Sequence, residues 1–210
     1  MPDLFRMYFV KTPWYLKSLY PSLIWDFPAQ GTIYLTFDDG PVPGVTDKVL
    51  DMLKMAGAKA TFFCIGDNVQ KHPDLYQRII SEGHSTGNHT FHHLNGWKTE
   101  NDQYFNDVEL CDDMVHSGLF RPPYGRIGYH QIQEIKKKYK IIMWDVLSGD
   151  FDTTINAEAC TEHVISNATH GSIIVFHDSE KARERVLQTL PVVLNFFGEK
   201  GFVFDAIRLD

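Results

Sequence analysis

The chain has 210 residues, 43% of them hydrophobic, which suits one domain of ordinary size with ample material for a core. Its formal net charge of −7 excludes a broad basic surface for nucleic acid or anionic membrane; the one basic run, KKKYK at 136–140, reads as a solvated helix face. Cys64, Cys111 and Cys160 are odd in number and widely spaced, so they imply reduced thiols rather than a disulfide framework or a zinc knuckle.

In chain order, the N-terminal stretch MPDLFRMYFVKTPWYLKSLYPSLIW is rich in aromatics, but Lys11, Pro13 and Lys17 interrupt it. It contains no apolar core of signal-peptide length and no membrane span, so the expected location is cytoplasmic. Residues 1–31 read as a segment packed on a domain at 32–210, in preference to a peripheral amphipathic anchor from Trp14 to Trp25. From residue 32 short β-like runs alternate with helical patterns. IYLTF (33–37) precedes a helix over 45–57 that Gly57 caps, and KATFFCIG (59–66) precedes one over 74–83. HSTGNH (84–89) is a weak strand ahead of a helix near 100–117, where Thr99 to Asp102 has the spacing of a capping box. LFRPP (119–123) leads to a helix over 128–139, KIIMWDVL (140–147) to one near 156–169, and GSIIVFHD (171–178) to one near 181–197; FVFDAI (202–207) closes the series. About seven strands with six intervening helices imply parallel neighbours, hence α/β, as an open sheet or a barrel.

Both architectures place their sites at the carboxyl ends of the strands. Those ends carry Asp38 and Asp39, then His89, His92 and His93, then Arg121, Asp150 and His177. Two adjacent carboxylates at the end of a buried run are costly unless something positive sits near them. In 89-HTFHH-93, His89 and His93 fall on one face if the backbone is helical, with His92 the poorer second imidazole. Two imidazoles and a carboxylate leave open positions for water and substrate, as a catalytic metal site requires. One aspartate then binds the metal while its neighbour, diverging along an extended strand, stays off it.

Taken in order, TFDDGP, HTFHH, RPPYG (121–125), WDVLSGDF (144–151) and IVFHD (174–178) resemble the five motifs of the NodB-homology polysaccharide deacetylases, carbohydrate esterase family 4. The resemblance spans residues 32 to 208. It implies a distorted (β/α) barrel and hydrolysis of an N-acetyl group from an amino sugar in an acetylated carbohydrate. It further implies a divalent cation, zinc first, with cobalt, nickel or manganese as alternatives. Carried across, Asp39, His89 and His93 resemble the metal ligands, Asp38 the general base, and Arg121 the residue that orients it. The backbone N–H of Tyr124 resembles the oxyanion donor, and His177, supported by Asp150, the general acid. Trp144 and Val175 resemble the walls around the acetyl methyl. Two positions depart from the pattern: Leu147 stands where the family commonly has Asp, and Phe151 where it often has Trp.

Competing readings are an O-acetyl esterase or another amidohydrolase of the same chemistry, and a silent glycan-binding module using Trp97, Tyr124 and Trp144. A glycosidase fits poorly, since its two carboxyls must flank the scissile bond about 5–9.5 Å apart.

Overall fold

The structure is a computed structural model in which residues 8–208 are described. Eight short strands, all parallel, form its sheet: β1 (Thr32–Asp38), β2 (Ala60–Cys64), β3 (Ser85–Asn88), β4 (Leu119–Phe120), β5 (Lys140–Ile141), β6 (Val146–Leu147), β7 (Ile173–His177) and β8 (Val203–Phe204). Their order is β5-β4-β3-β2-β1-β7-β6, with β8 paired to the start of β1. The helices between them are α2 (Thr46–Met55), α3 (Gly66–Lys71), α4 (Pro73–Ser81), α5 (Asn101–Val115), α6 (Tyr129–Ile135), α7 (Ala157–Asn167) and α8 (Arg183–Glu199); α1 (Trp14–Leu19) precedes the sheet. Among the described residues no helix is long and apolar enough to cross a membrane.

The two faces of the central strands explain the layering. Ile33, Leu35 and Phe37 of β1 share one core with Val49, Leu50 and Leu53 of α2 and Val186, Leu190 and Val193 of α8. The Phe37 ring stacks on Phe62 and Phe176 at centroid separations of 5.1 and 5.9 Å. The alternate residues Tyr34, Thr36 and Asp38 therefore face the barrel interior. Tyr34 joins Phe63, Leu119, Ile142 and Ile173 there, while Asp38 lies at the carboxyl end of the strand.

Closure of the barrel differs from the expectation of one strand over 140–147. The first half of this run pairs with β4 and the second with β7, so the chain crosses from one sheet edge to the other. It cannot pair continuously with either edge, hence two strands of two residues. Residues 8–27 line that seam: Met143 N–H donates to Ile24 O (2.7 Å), Leu147 N–H to Val10 O (2.8 Å) and the Thr12 hydroxyl to Trp144 O (2.7 Å). Lys11 and Lys17 both reach Asp145 at 2.6 Å.

The capping box expected at Thr99 is absent. Glu100 is the N-cap of α5 without a side-chain cap, and the Thr99 hydroxyl donates to Asn95 O instead (2.9 Å). Short helix α3, where sequence periodicity offered no signal, anchors the site. Its Gly66 and Asp67 N–H groups donate to the carbonyls of Thr90 and Phe91, both at 3.1 Å. A Cβ on Gly66 would come within 2.5 Å of the Phe91 ring, so this contact requires glycine.

Candidate active site

Asp38 ends β1 in register with Thr36 on the interior face, but Asp39 does not continue the strand. Its φ of 83° places it in left-handed backbone, and this turn, rather than alternation along an extended strand, separates the two carboxylates. Asp178 holds the turn: it accepts Gly40 N–H at Oδ1 (2.9 Å) and the Thr46 hydroxyl at Oδ2 (2.6 Å), and its own N–H donates to Asp38 O (3.0 Å). A Cβ on Gly40 would lie 2.0 Å from Asp178 Oδ2. Burial, reinforced by the Asp39 charge and opposed by the bonds from Thr46 and Gly40, raises the Asp178 carboxyl to about 7.

HTFHH is not helical. Left-handed residues at Thr90 (φ 61°) and His93 (φ 57°) fold it into a tight bend that brings His89 and His93 together, their rings 5.1 Å apart. Nε2 of His93 lies 3.2 Å and Nε2 of His89 3.7 Å from Asp39 Oδ1. One ligand atom from each of Asp39, His89 and His93 lies within 4.8 Å of the others. The donor chemistry fits a divalent cation. His89 Nδ1–H donates to Arg121 O (2.7 Å), which fixes its tautomer and directs the Nε2 lone pair at the site. Burial lowers His89 to about 4, against the pull of Asp38, so the imidazole is neutral and ready to ligate. Burial alone would raise the Asp39 pKa, but the His93 bond and the charges of His177 and His93 hold it well below the carboxylate range. His92 points away, its Nδ1 bonded to Asp107 Oδ1 at 2.6 Å.

Arg121 is fully buried and its guanidinium is nearly saturated: NH1 donates to Asp38 Oδ1 (2.7 Å) and Thr36 Oγ1 (2.6 Å), NH2 to Met143 O (2.8 Å), and Nε to Ile142 O (3.1 Å). Its carbon lies 4.1 Å from the centroid of Phe63. Across the site His177 is the register partner of Asp38 on β7. Asp150 accepts both its Nδ1–H and its backbone N–H, each at 2.7 Å. Burial would lower the imidazole's pKa; Asp150, then Asp39 and Asp38, overcome this and raise it to about 9.

The chain as a whole is similar to known proteins. A family model for polysaccharide deacetylases matches residues 28–141, more than half of the chain. A peptidoglycan-N-acetylglucosamine deacetylase of Bacillus cereus is 33% identical over 91% of this chain and 94% of its own length. The chain belongs to the polysaccharide deacetylase family. The peptidoglycan-N-acetylglucosamine deacetylase PgdA of Listeria monocytogenes is 35% identical over 83% of this chain, which spans only 38% of that protein. A solved peptidoglycan N-acetylglucosamine deacetylase superposes with a TM-score of 0.86 at 31% identity, covering 93% of this chain and 95% of that one.

Around this polysaccharide deacetylase site the remaining expected residues fall as follows. Tyr124 has a left-handed φ of 60° and leans its ring on His93 at 4.6 Å. The Trp144 ring lies under the same turn, 2.5 Å from where a Cβ on Gly125 would stand. Val175 is buried two residues before His177, on the same face of β7. At the departures, Leu147 is buried and paired with Val175, and the Phe151 ring sits 5.3 Å from His177 and 5.1 Å from Tyr8.

Three supporting groups escaped sequence reading. Asp107 receives the backbone N–H groups of Phe91 and His92, both at 2.9 Å, from the middle of α5. Arg185, on α8, donates to Asp150 O at 2.6 Å. Neither position carries a sequence signal, because each looks like an ordinary helical charge. Asp178 adjoins His177 at a strand end, and that location was its one available signal.

Proposed function

We propose that the chain is a metal-dependent N-deacetylase of amino-sugar residues in a glycan, with peptidoglycan as the substrate class its relatives favour. The observation that carries the reading is the pairing of Asp38 with His177 across β1 and β7, next to the Asp39, His89 and His93 set. A divalent cation held by those three, zinc before cobalt, nickel or manganese, would acidify a water and polarise the acetyl oxygen. Arg121 occupies Asp38 Oδ1, so the other carboxylate oxygen is left to take the proton of the attacking water. His177 bonds Asp150 through Nδ1, and its Nε2 proton goes to the departing nitrogen. The backbone N–H of Tyr124 donates to the charge developing on the acetyl oxygen, and Trp144 and Val175 enclose the methyl.

A positioned proton donor favours one acetyl class. An amide nitrogen leaves poorly unless protonated, whereas an alkoxide leaves more easily, so an imidazole held by Asp150 through Nδ1 with Nε2 left to donate suits an N-acetyl substrate. The test is acetate release from chitooligosaccharides and from an O-acetylated xylan, with metal content measured on the same samples before and after chelation. Metal-dependent release from the first substrate is expected. Release from the xylan alone would make the protein an O-acetyl esterase, and metal binding without release from either would make it a binding module.

A further inference from the structure

Outside residues 8–27, three aromatic side chains of the described chain are strongly exposed: Trp97 (64%), Tyr124 (61%) and Tyr129 (76%). All three stand on neighbouring segments that follow β3 and β4 at the site's rim. These segments are fastened together. Gly96 N–H donates to Arg126 O (3.1 Å), Gln131 Nε2 to Gly96 O (2.9 Å) and Trp97 Nε1 to Ile127 O (3.0 Å). A Cβ on Gly96 would lie 2.6 Å from Arg126 O, so the approach is as close as backbone allows. The indole is thus pinned by its one polar atom while its surface stays exposed.

On that indole lies Arg126, its guanidinium carbon 4.5 Å from the ring centroid. The other described arginines, Arg78, Arg121, Arg183, Arg185 and Arg208, each donate to an acceptor in the chain. Arg126 makes no side-chain hydrogen bond or ion pair among the described residues, although the chain's net charge is −7 and carboxylates are abundant. Stacking restrains the guanidinium and leaves its donor edge free, the arrangement that suits a planar carboxylate. Its distance from the chemistry is short. Tyr124, whose ring touches His93, precedes Arg126 by two residues, a reach of at most about 7 Å along the backbone and comparable to one sugar unit.

We propose that Trp97 and Arg126 form a subsite for the saccharide unit adjoining the one deacetylated, in which Arg126 binds a carboxylate on that unit. The exposed faces of Trp97 and Tyr124 pack against the sugar's apolar surface. The proposal rests on the deacetylase reading for the position of the reacting unit, and it makes the enzyme selective for an acidic over a neutral N-acetylated glycan.

The probes are a tetrasaccharide of alternating N-acetylglucosamine and N-acetylmuramic acid with free lactyl carboxylates, and the same tetrasaccharide as its methyl esters. Calorimetric Kd values in the Asp38→Asn background measure binding without turnover, and KM and kcat are measured with Asp38 present. The free acid is expected to bind about tenfold tighter than the ester, with the difference in KM rather than kcat. Arg126→Gln should bring the ratio close to one, and Arg126→Lys should restore part of it. A ratio near one in the parent protein, or one that survives Arg126→Gln, overturns the subsite. Carboxylate-selective binding without acetate release from either probe would leave the subsite standing and remove the deacetylase reading; release with no selectivity would do the reverse.

Discussion

His92 and His177 are held in the same way. Each gives Nδ1–H to a carboxylate, at 2.6 Å to Asp107 and 2.7 Å to Asp150, and each gives its backbone N–H to the other oxygen of that carboxylate, at 2.9 and 2.7 Å. Their surroundings differ. The His92 side chain is 58% exposed and points out of the site, whereas His177 is 15% exposed, faces Asp38 across the sheet and feels Asp39. A carboxylate–imidazole pair is therefore a local fastening that the fold uses twice. It becomes acid–base chemistry only where the free Nε2 looks into a cavity lined by charge. Around His92 the fastening serves the bend that carries His89 and His93, because Asp107 also receives Phe91 N–H.

Asp38→Asn is expected to keep the metal and lose ~10²–10⁴-fold in kcat, since an amide cannot take the water's proton. Asp39→Asn should lose metal first. Metal content and acetate release on the same samples check both, and the reverse outcome would exchange the two roles. His177→Ala should also keep the metal and cost a general-acid contribution of about 10²-fold or more.

Next in size is Asp150→Asn, which removes the largest influence holding the His177 proton. In metal-free protein the His177 imidazole should titrate near 9 by NMR, and the substitution should move that titration toward or below the ordinary 6.5. The basic limb of the loaded enzyme's pH–rate profile, which follows loss of this proton, should move to lower pH in step; the bound cation's charge sets the His177 value below its metal-free one in both proteins. Stability carries the same sign. With a folded-state value above the unfolded one, the pair stabilises the metal-free protein below pH 6.5, and that contribution fades as pH rises through about 9. Denaturant unfolding across that window should show the slope in the parent protein and a reduced one in Asp150→Asn.

Much of this was legible because strand ends gather chemistry. Asp38, Asp39, Arg121, Asp150 and His177 could be placed on one rim from the alternation of runs alone, since parallel strands share a carboxyl-end face. What escaped depends on backbone conformation or on distant packing. The bend at HTFHH comes from two non-glycine residues with positive φ, which spacing rules for helices cannot anticipate. The split of 140–147 follows from which edges the chain happens to meet, and Asp107 and Arg185 are charges on helices whose partners are fixed only by tertiary structure.

His92→Ala deletes an imidazole bonded to Asp107 as His177 is to Asp150, yet Asp107 would still receive the Phe91 and His92 backbone N–H groups and the bend would keep two of its three ties. The lost side chain is largely exposed, so the cost in stability should stay within about 0.5 kcal/mol, and acetate release should be nearly unchanged. Metal content should be unchanged. Loss of the ion in His92→Ala with retention in His93→Ala would mean that His92 is the second imidazole ligand. The bend would then have to reverse on metal binding, bringing His92 inward and breaking its bond to Asp107, and the distinction between the two pairs would collapse.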